Sequence, residues 1–194
     1  MAFLNSVRFL AARLHRDRCL LLILAVAHGL ALGQSSVALE RQVKAAYLCK
    51  FAGFVEWPEG SFGRPDSPLL IGVAGAEALA AELEQSVTGH AVNGHALQVR
   101  RLKKGEAPAG LHILFAGNAL ERNELQDLLA AARGQAILTI SDAGEAQAMG
   151  SVIRFLVVDE RLRFEVALKA AALSRLRISA RMLAAAYKVR QVNS

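Results

Sequence analysis

Residue types that could do acid–base or metal chemistry are few, and their spacing does not favour it. His90 and His95 flank the turn pair Asn93-Gly94, and His112 stands apart from both. Two metal-binding histidines on a helix need helical spacing, which these lack, and no CxxC pair supports them. Histidines at a turn are normally solvated. The sequence therefore predicts no metal site.

The pairs of carboxylates do not indicate catalysis either. Glu82 and Glu84, like Glu121 and Glu124, fall on predicted surface helices, where such charges normally face water. General acid–base catalysis needs two groups that converge on a cleft, and this spacing does not require convergence. The chain also lacks a GxSxG nucleophile elbow, a P-loop and a GxGxxG dinucleotide fingerprint. We expect a protein that is not an enzyme and that carries no cofactor.

The N-terminal segment has the order of a secretory signal peptide. Residues 1–18 are basic, residues 19–32 form an apolar run, and Ala31-Leu32-Gly33 has small residues at the positions that a signal peptidase reads. A membrane-spanning helix needs roughly 20 apolar residues, so an uncleaved anchor is the less favoured alternative. We predict a signal peptide over residues 1–33, cleaved before Gln34, and one domain over residues 34–194.

Charge and cysteine content describe the exported part. Half of the net charge of +6 comes from residues 1–33, so the remainder is mildly basic with its charges interspersed. That distribution favours solubility and does not predict a nucleic-acid surface. Removal of Cys19 leaves Cys49 as the one cysteine, which excludes an intramolecular disulfide. A buried, inert thiol is favoured over pairing with another chain.

Helix and strand patterns alternate along the domain. Apolar periodicity predicts a first helix over Glu40–Trp57, stopped by Pro58. Alternating strands and helices predict a three-layer α/β sandwich, with a mostly parallel sheet and a C-terminal antiparallel hairpin. The later predicted elements are strand Leu69–Ala74, helix Ala76–Gln85, strand Ala96–Leu102, strand Leu111–Ala116, helix Ala119–Arg133, strand Gln135–Ile140, a short helix capped by Asp142, strands Ser151–Val158 and Leu162–Leu168, and two helices, the second capped by Ser179.

The hairpin permits a prediction about register. If its turn at Asp159-Glu160 has two or four residues, Arg154 lies directly across from Glu165. Opposite charges across strands contribute roughly 0.2–1 kcal/mol. A surface ion pair on a solvated face is the favoured interpretation, and the alternative makes Arg154 part of an anion or partner site.

Two residues of the first helix do not fit its pattern. Lys50 falls inside the apolar stripe between Tyr47 and Phe54, and Cys49 falls on the opposite face. Lys50 can snorkel to water along the edge of the core, which we favour over a ligand or partner contact. Trp57 either packs the helix end or anchors an interface.

These residues resemble a known family. The segment VKAAYLCKFAGFVEWP at residues 43–58 is similar to the opening of the YfiR-like family, and FVEWP is its most specific part. The resemblance covers residues 40–190 in the expected order. Its further matches are LLIGV at residues 69–73, VNG at 92–94, HILF at 112–115, LTISD at 138–142, the hairpin from Gly150 through RFEV at 163–166, and ISARML at 178–183.

The resemblance implies a small periplasmic α/β protein that represses an inner-membrane diguanylate cyclase by binding its periplasmic sensor domain. Output of cyclic-di-GMP would fall until an outer-membrane partner or envelope stress removes the repressor. Family members also tend to self-associate, which implies a homodimer. On this hypothesis the contact surface combines the end of the first helix with the polar hairpin face, namely Lys50, Phe54, Glu56, Trp57, Arg154, Arg163 and Glu165.

Other hypotheses stay open. A periplasmic small-ligand sensor feeding another envelope signalling or transport system would show a pocket at the strand ends. A hydrolase would require a cleft with converging histidines or carboxylates. The chain also departs from the family pattern, with Leu111 where a cysteine often precedes the HILF strand and Arg154 where asparagine is common.

Overall fold

A computed structural model describes residues 36–191 of the chain. The predicted signal peptide lies outside these residues. The chain divides into two units, residues 1–40 and residues 41–194, and the fold below is that of the second. Within the described residues, no helix combines the length and apolar character needed to cross a bilayer.

Short strands and helices alternate through the described region. The first helix, α1, covers residues 36–52, of which residues 41–52 belong to the second unit. The remaining elements are β1 (Val55–Glu56), β2 (Leu69–Ala74), α2 (Glu77–Val87), β3 (Ala91–Val92), β4 (His95–Arg101), β5 (Ile113–Ala116), α3 (Arg122–Ala132), β6 (Leu138–Ser141), β7 (Ile153–Val158), β8 (Arg161–Ala167), α4 (Leu168–Leu173), β9 (Arg177–Ile178), α5 (Ala180–Ala185) and β10 (Lys188–Arg190).

One eight-stranded sheet organises the fold, in the order β10-β8-β7-β6-β5-β2-β4-β3. The neighbouring pairs β4–β2, β2–β5, β5–β6 and β6–β7 are parallel. The pairs β7–β8 and β3–β4 are antiparallel. The predicted fold class is therefore confirmed. The hairpin is not the outer edge, because β10 adds a parallel strand beyond β8. A separate antiparallel pair joins β1 to β9.

Helices cover both faces of the sheet. The buried sides of α1 and α2 pack with alternate residues of β2 through β8 in the largest apolar cluster. The buried side of α3 packs on the opposite face in two smaller clusters. Strand β5 is buried over its whole length, as expected for a parallel strand covered on both sides.

Helix α1 ends five residues before the predicted Trp57. The N–H groups of Gly53 and Phe54 each donate a 3.0 Å hydrogen bond to a carbonyl only three residues back, which tightens and ends the helix. Val55 then pairs with Ile178 as part of β1. The predicted boundary was wrong because this tertiary pairing overrides an apolar pattern that could have continued as helix.

The buried face of α1 also differs from the predicted one. Lys50 is exposed, whereas Cys49 is half-buried against the core, so the helix faces predicted for these two residues were wrong. Ala45 and Ala52 are buried together with Leu48 and Phe51. Burial raises the pKa of the Cys49 thiol, which disfavours the reactive thiolate.

The short helix predicted after β6 does not form, and Asp142 has another role. Its carboxylate accepts Lys44 Nζ at 2.6 Å and the N–H of Asn118 at 2.7 Å. Both oxygens are engaged across the carboxyl edge of the sheet, so the side chain caps no helix. Asp142 instead ties α1 to the loop after β5.

The sheet reverses its winding between β2 and β5, and ligands of open α/β sheets often bind at such a point. In this chain, backbone atoms of the segments after β2 and β5 occupy that point. A β-carbon added to Gly117 would lie 2.4 Å from the carbonyl oxygen of Gly75. The two segments after β2 and β5 thus pack directly against each other.

This contact predicts a cost for the smallest possible enlargement. Gly117→Ala should lower the free energy of unfolding by about 1–3 kcal/mol, because an added methyl overpacks a backbone contact. Gly63→Ala is the matched control, since nothing lies within 4 Å of its added β-carbon. Urea unfolding measures both variants. Equal stability of the two would contradict the close packing.

Candidate functional site

The hairpin between β7 and β8 has a two-residue turn. Asp159 and Glu160 adopt φ angles of 48° and 58°, the positive values that a type I′ turn requires at both central positions. The resulting register pairs Arg154 with Glu165 and Phe155 with Phe164. The predicted register is confirmed.

One face of the hairpin is aromatic and carries α1. The ring of Phe164 lies 5.0 Å from that of Phe51 and 5.5 Å from that of Tyr47. Phe155 stacks on Phe51 at 6.0 Å. These edge-on and offset contacts are favourable beyond the area that they bury. They fix the position of α1 on the sheet.

The other face carries a network of charges around Glu165. Its Oε2 accepts Arg154 at 3.0 Å and two nitrogens of Arg190 at 3.1 and 3.2 Å. Arg154 also donates to the carbonyl of Gly144 at 3.0 Å. The Glu165 side chain is only 4% exposed, so the interpretation of a solvated surface pair was wrong. Arg190 was missed because no strand was predicted at β10.

The seven predicted contact residues lie on two surfaces. On the α1 side, Lys50 and Glu56 are exposed, while Phe54 and Trp57 are half-buried. On the hairpin, alternation directs Arg154, Arg163 and Glu165 away from the aromatic face, and so away from α1. We name the first group the α1-end surface and the second the hairpin surface. The structure does not bring the two groups together.

Trp57 belongs to an unpredicted ring cluster at the amino ends of β2, β4 and β5. Phe62 stacks between His95 at 3.8 Å and His112 at 4.3 Å. The indole N–H of Trp57 donates to the carbonyl of His112 at 3.3 Å. Sequence reasoning left His95 solvated and His112 isolated, since Phe62 lies in an irregular loop that carries no periodic signal.

The hydrogen bond from Leu70 fixes His112 in its neutral form. The N–H of Leu70 donates to Nδ1 at 3.1 Å, so the ring proton is on Nε2, which donates to the carbonyl of Ser61 at 3.1 Å. Burial lowers the pKa of His112, and the neighbouring His95 lowers it further. If Nδ1 were protonated, its N–H would face the N–H of Leu70, and neither donor would have an acceptor there. The ring therefore accepts from Leu70 only while neutral, whereas its bond to the loop carbonyl of Ser61 is available in both forms.

The carboxylate pairs have structural roles. Glu84 receives two hydrogen bonds from Arg101, at 2.7 and 2.8 Å. Glu121 and Glu124 form the capping box that begins α3. Within residues 36–191 no group of three or more histidine, cysteine, aspartate or glutamate side chains is placed to hold a metal ion.

A cleft of about 330 Å³ opens on the α3 face, at the amino ends of β6 and β7. It lies between the end of α3, the segment before β7, and α4. Its chemically distinctive residues are Arg133, Thr139, Gln147, Lys169, Ser174 and Arg190.

The sheet order, the hairpin and the two-sided helix cover define a small three-layer α/β protein whose distinctive chemistry lies on its surfaces. A sequence profile of the YfiR/HmsC-like family matches residues 41–187. The chain therefore belongs to the YfiR/HmsC-like family, which comprises periplasmic regulators of diguanylate cyclases and is regulatory rather than catalytic. A search of curated proteins finds no match to the chain.

The departure at Leu111 has a clear packing partner. A β-carbon added to Gly72 would lie 2.2 Å from Cδ1 of Leu111. The leucine thus fills the space that the glycine leaves beside it. Apolar packing thus joins the segment before β5 to the middle of β2.

The charge network predicts that Glu165 stabilises the hairpin surface. Glu165→Gln should lower the free energy of unfolding by about 1–3 kcal/mol, because charge-assisted bonds to two arginines become weaker. Arg163→Gln, on the same strand but exposed, is the control and should change it by less than about 0.5 kcal/mol. Urea midpoints at neutral pH compare the two. A variant at Glu165 as stable as the control would refute the network.

The neutral histidine predicts loss of stability in acid. Since its folded-state pKa is lowered, His112 contributes stability above pH 6.5 that is lost as the pH falls from there toward the folded pKa. The slope reaches at most about 1.4 kcal/mol per pH unit for one proton. His112→Gln should flatten the curve of unfolding free energy between pH 7.5 and 5. Urea unfolding across this pH range measures the curve, and an unflattened curve for His112→Gln would count against the assignment.

Proposed function

We propose that this protein is a periplasmic repressor that binds the periplasmic sensor domain of an inner-membrane diguanylate cyclase and lowers cyclic-di-GMP output. Family membership over residues 41–187 is the observation that carries the proposal. The mechanism is thermodynamic linkage. A repressor that binds the inactive conformation of the cyclase more tightly than the active one shifts the population toward the inactive state.

The α1-end surface is the favoured contact site. Lys50 and Glu56 are exposed there, and Phe54 and Trp57 lie half-buried in the same short segment. An apolar centre with a charged rim is the usual composition of an interface. On the hairpin surface Glu165 is buried beneath two arginines, so only Arg163 is exposed enough to contact a partner directly.

Export and release complete the proposal. The signal peptide over residues 1–33 would deliver a chain that begins at Gln34 to the periplasm. An outer-membrane partner would compete with the cyclase for the repressor. A homodimer would place two copies of the α1-end surface in one assembly, matching a dimeric membrane partner.

A second candidate function is a small-ligand sensor that feeds another envelope system. The cleft at the amino ends of β6 and β7 favours it. The two functions are compatible, because a ligand that binds one state of a repressor also shifts its equilibrium.

The test is a pull-down from native membranes with the tagged, exported protein, combined with cyclic-di-GMP measurement in a deletion strain. We expect recovery of a membrane-bound diguanylate cyclase, a rise of cyclic-di-GMP in the deletion, and its return to the parental level on complementation. Intact mass of the periplasmic protein should correspond to a chain starting at Gln34. Unchanged cyclic-di-GMP together with no recovered cyclase would overturn the repressor function.

Charge reversals on the two surfaces locate the contact. Lys50→Glu should weaken cyclase binding at least tenfold, or about 1.4 kcal/mol, and so reduce its recovery. Arg163→Glu is the matched control, equally exposed but on the opposite face, and should retain recovery. The reverse result would place the interface on the hairpin surface and leave the repressor function intact.

A further inference from the structure

We propose that the cleft between α3 and α4 is a binding site for a small organic anion that carries an apolar body. The cleft is formed by the C-terminal end of α3, residues 147–150, and α4, with Arg190 of β10 at its side. The proposal rests on the geometry of this cleft and is independent of the cyclase.

The charge of the lining selects an anion. Arg133, Lys169 and Arg190 line the cleft, and no carboxylate is among its lining residues in the described part of the chain. Glu165 accepts a hydrogen bond from Arg190, but the same oxygen also accepts one from Arg154. One negative charge is therefore shared between two positive charges, and a net positive charge remains. Guanidinium groups recognise carboxylate and phosphate through paired hydrogen bonds.

Gln147 supplies an independent indication of a ligand. Both its Nε2 and its Oε1 are buried without a hydrogen-bond partner among the residues that the structure describes. A buried polar atom left unpaired costs about 1–3 kcal/mol, so native structures normally satisfy it. A bound carboxylate would accept a hydrogen bond from Nε2.

The remaining lining sets the size and the character of the ligand. Leu129, Ala132, Ala170 and Leu173 give the cleft an apolar wall. Leu173 is 57% exposed, and a ligand body would cover it. A volume of about 330 Å³ holds a molecule of roughly ten to fifteen non-hydrogen atoms, at the small end of ligand pockets. A bare inorganic anion would leave this wall unused.

Calorimetric titration of the purified exported protein with 3-phenylpropanoate tests the site. We expect saturable binding at one site per chain. The neutral isostere 3-phenylpropanamide should bind at least tenfold more weakly because it lacks the charge, and inorganic phosphate should do so because it lacks the apolar body. Absence of saturable 3-phenylpropanoate binding up to about 10 mM would overturn the proposal, as would equal binding of the amide or of phosphate.

Variants tie the binding to this cleft. Arg133→Gln and Gln147→Met should each weaken 3-phenylpropanoate binding at least tenfold, the first by removing a charge and the second by removing the amide at similar volume. Arg163→Gln removes a cation outside the cleft and should bind like the parent. Urea unfolding of every variant confirms that it is folded. Undiminished binding by both cleft variants would place the ligand elsewhere and overturn the assignment.

Discussion

The two-residue turn at Asp159-Glu160 is the constraint on which the rest of the structure depends. Side chains alternate between the faces of a strand, so a slip of one residue would exchange every inward and outward position of β8. The observed register sends Phe155 and Phe164 toward α1 and sends Arg154 and Glu165 to the opposite face. One turn therefore fixes both the position at which α1 packs on the sheet and the charged hairpin surface.

Burial of the Glu165 carboxylate costs hydration free energy, which neighbouring side chains offset. A buried carboxylate such as Glu165 is stable only when its lost hydration is replaced, and Arg154 and Arg190 replace it with short, charge-assisted bonds. The arrangement leaves this side of the sheet rich in cations. The cleft beside α3 and α4 lies where that positive charge meets an apolar wall. The α1-end surface lies on the other side of the sheet, so partner binding and ligand binding would use separate faces.

Local patterns predicted the elements whose cause is local. The apolar run Leu69–Ala74 became β2 with the same bounds, and Ser179 caps α5 by accepting the N–H of Met182. The hairpin register followed from the alternation of side chains along the strands and a turn with an even number of residues. Elements that depend on distant pairing were missed. Strand β1 replaces the predicted end of α1 because Val55 meets β9, and β10 brings Arg190 to Glu165 across 25 residues of sequence. The ring cluster around Phe62 has no periodic signal either, since a loop residue supplies its centre.

The most direct test of the central claim is a titration of the purified cyclase, reconstituted in a bilayer with its periplasmic domain accessible, against the exported protein. We predict that cyclic-di-GMP synthesis falls to a plateau as the repressor saturates the cyclase, and that Lys50→Glu shifts the titration to higher concentration while Arg163→Glu does not. Synthesis that stays unchanged while the two proteins demonstrably bind would contradict it.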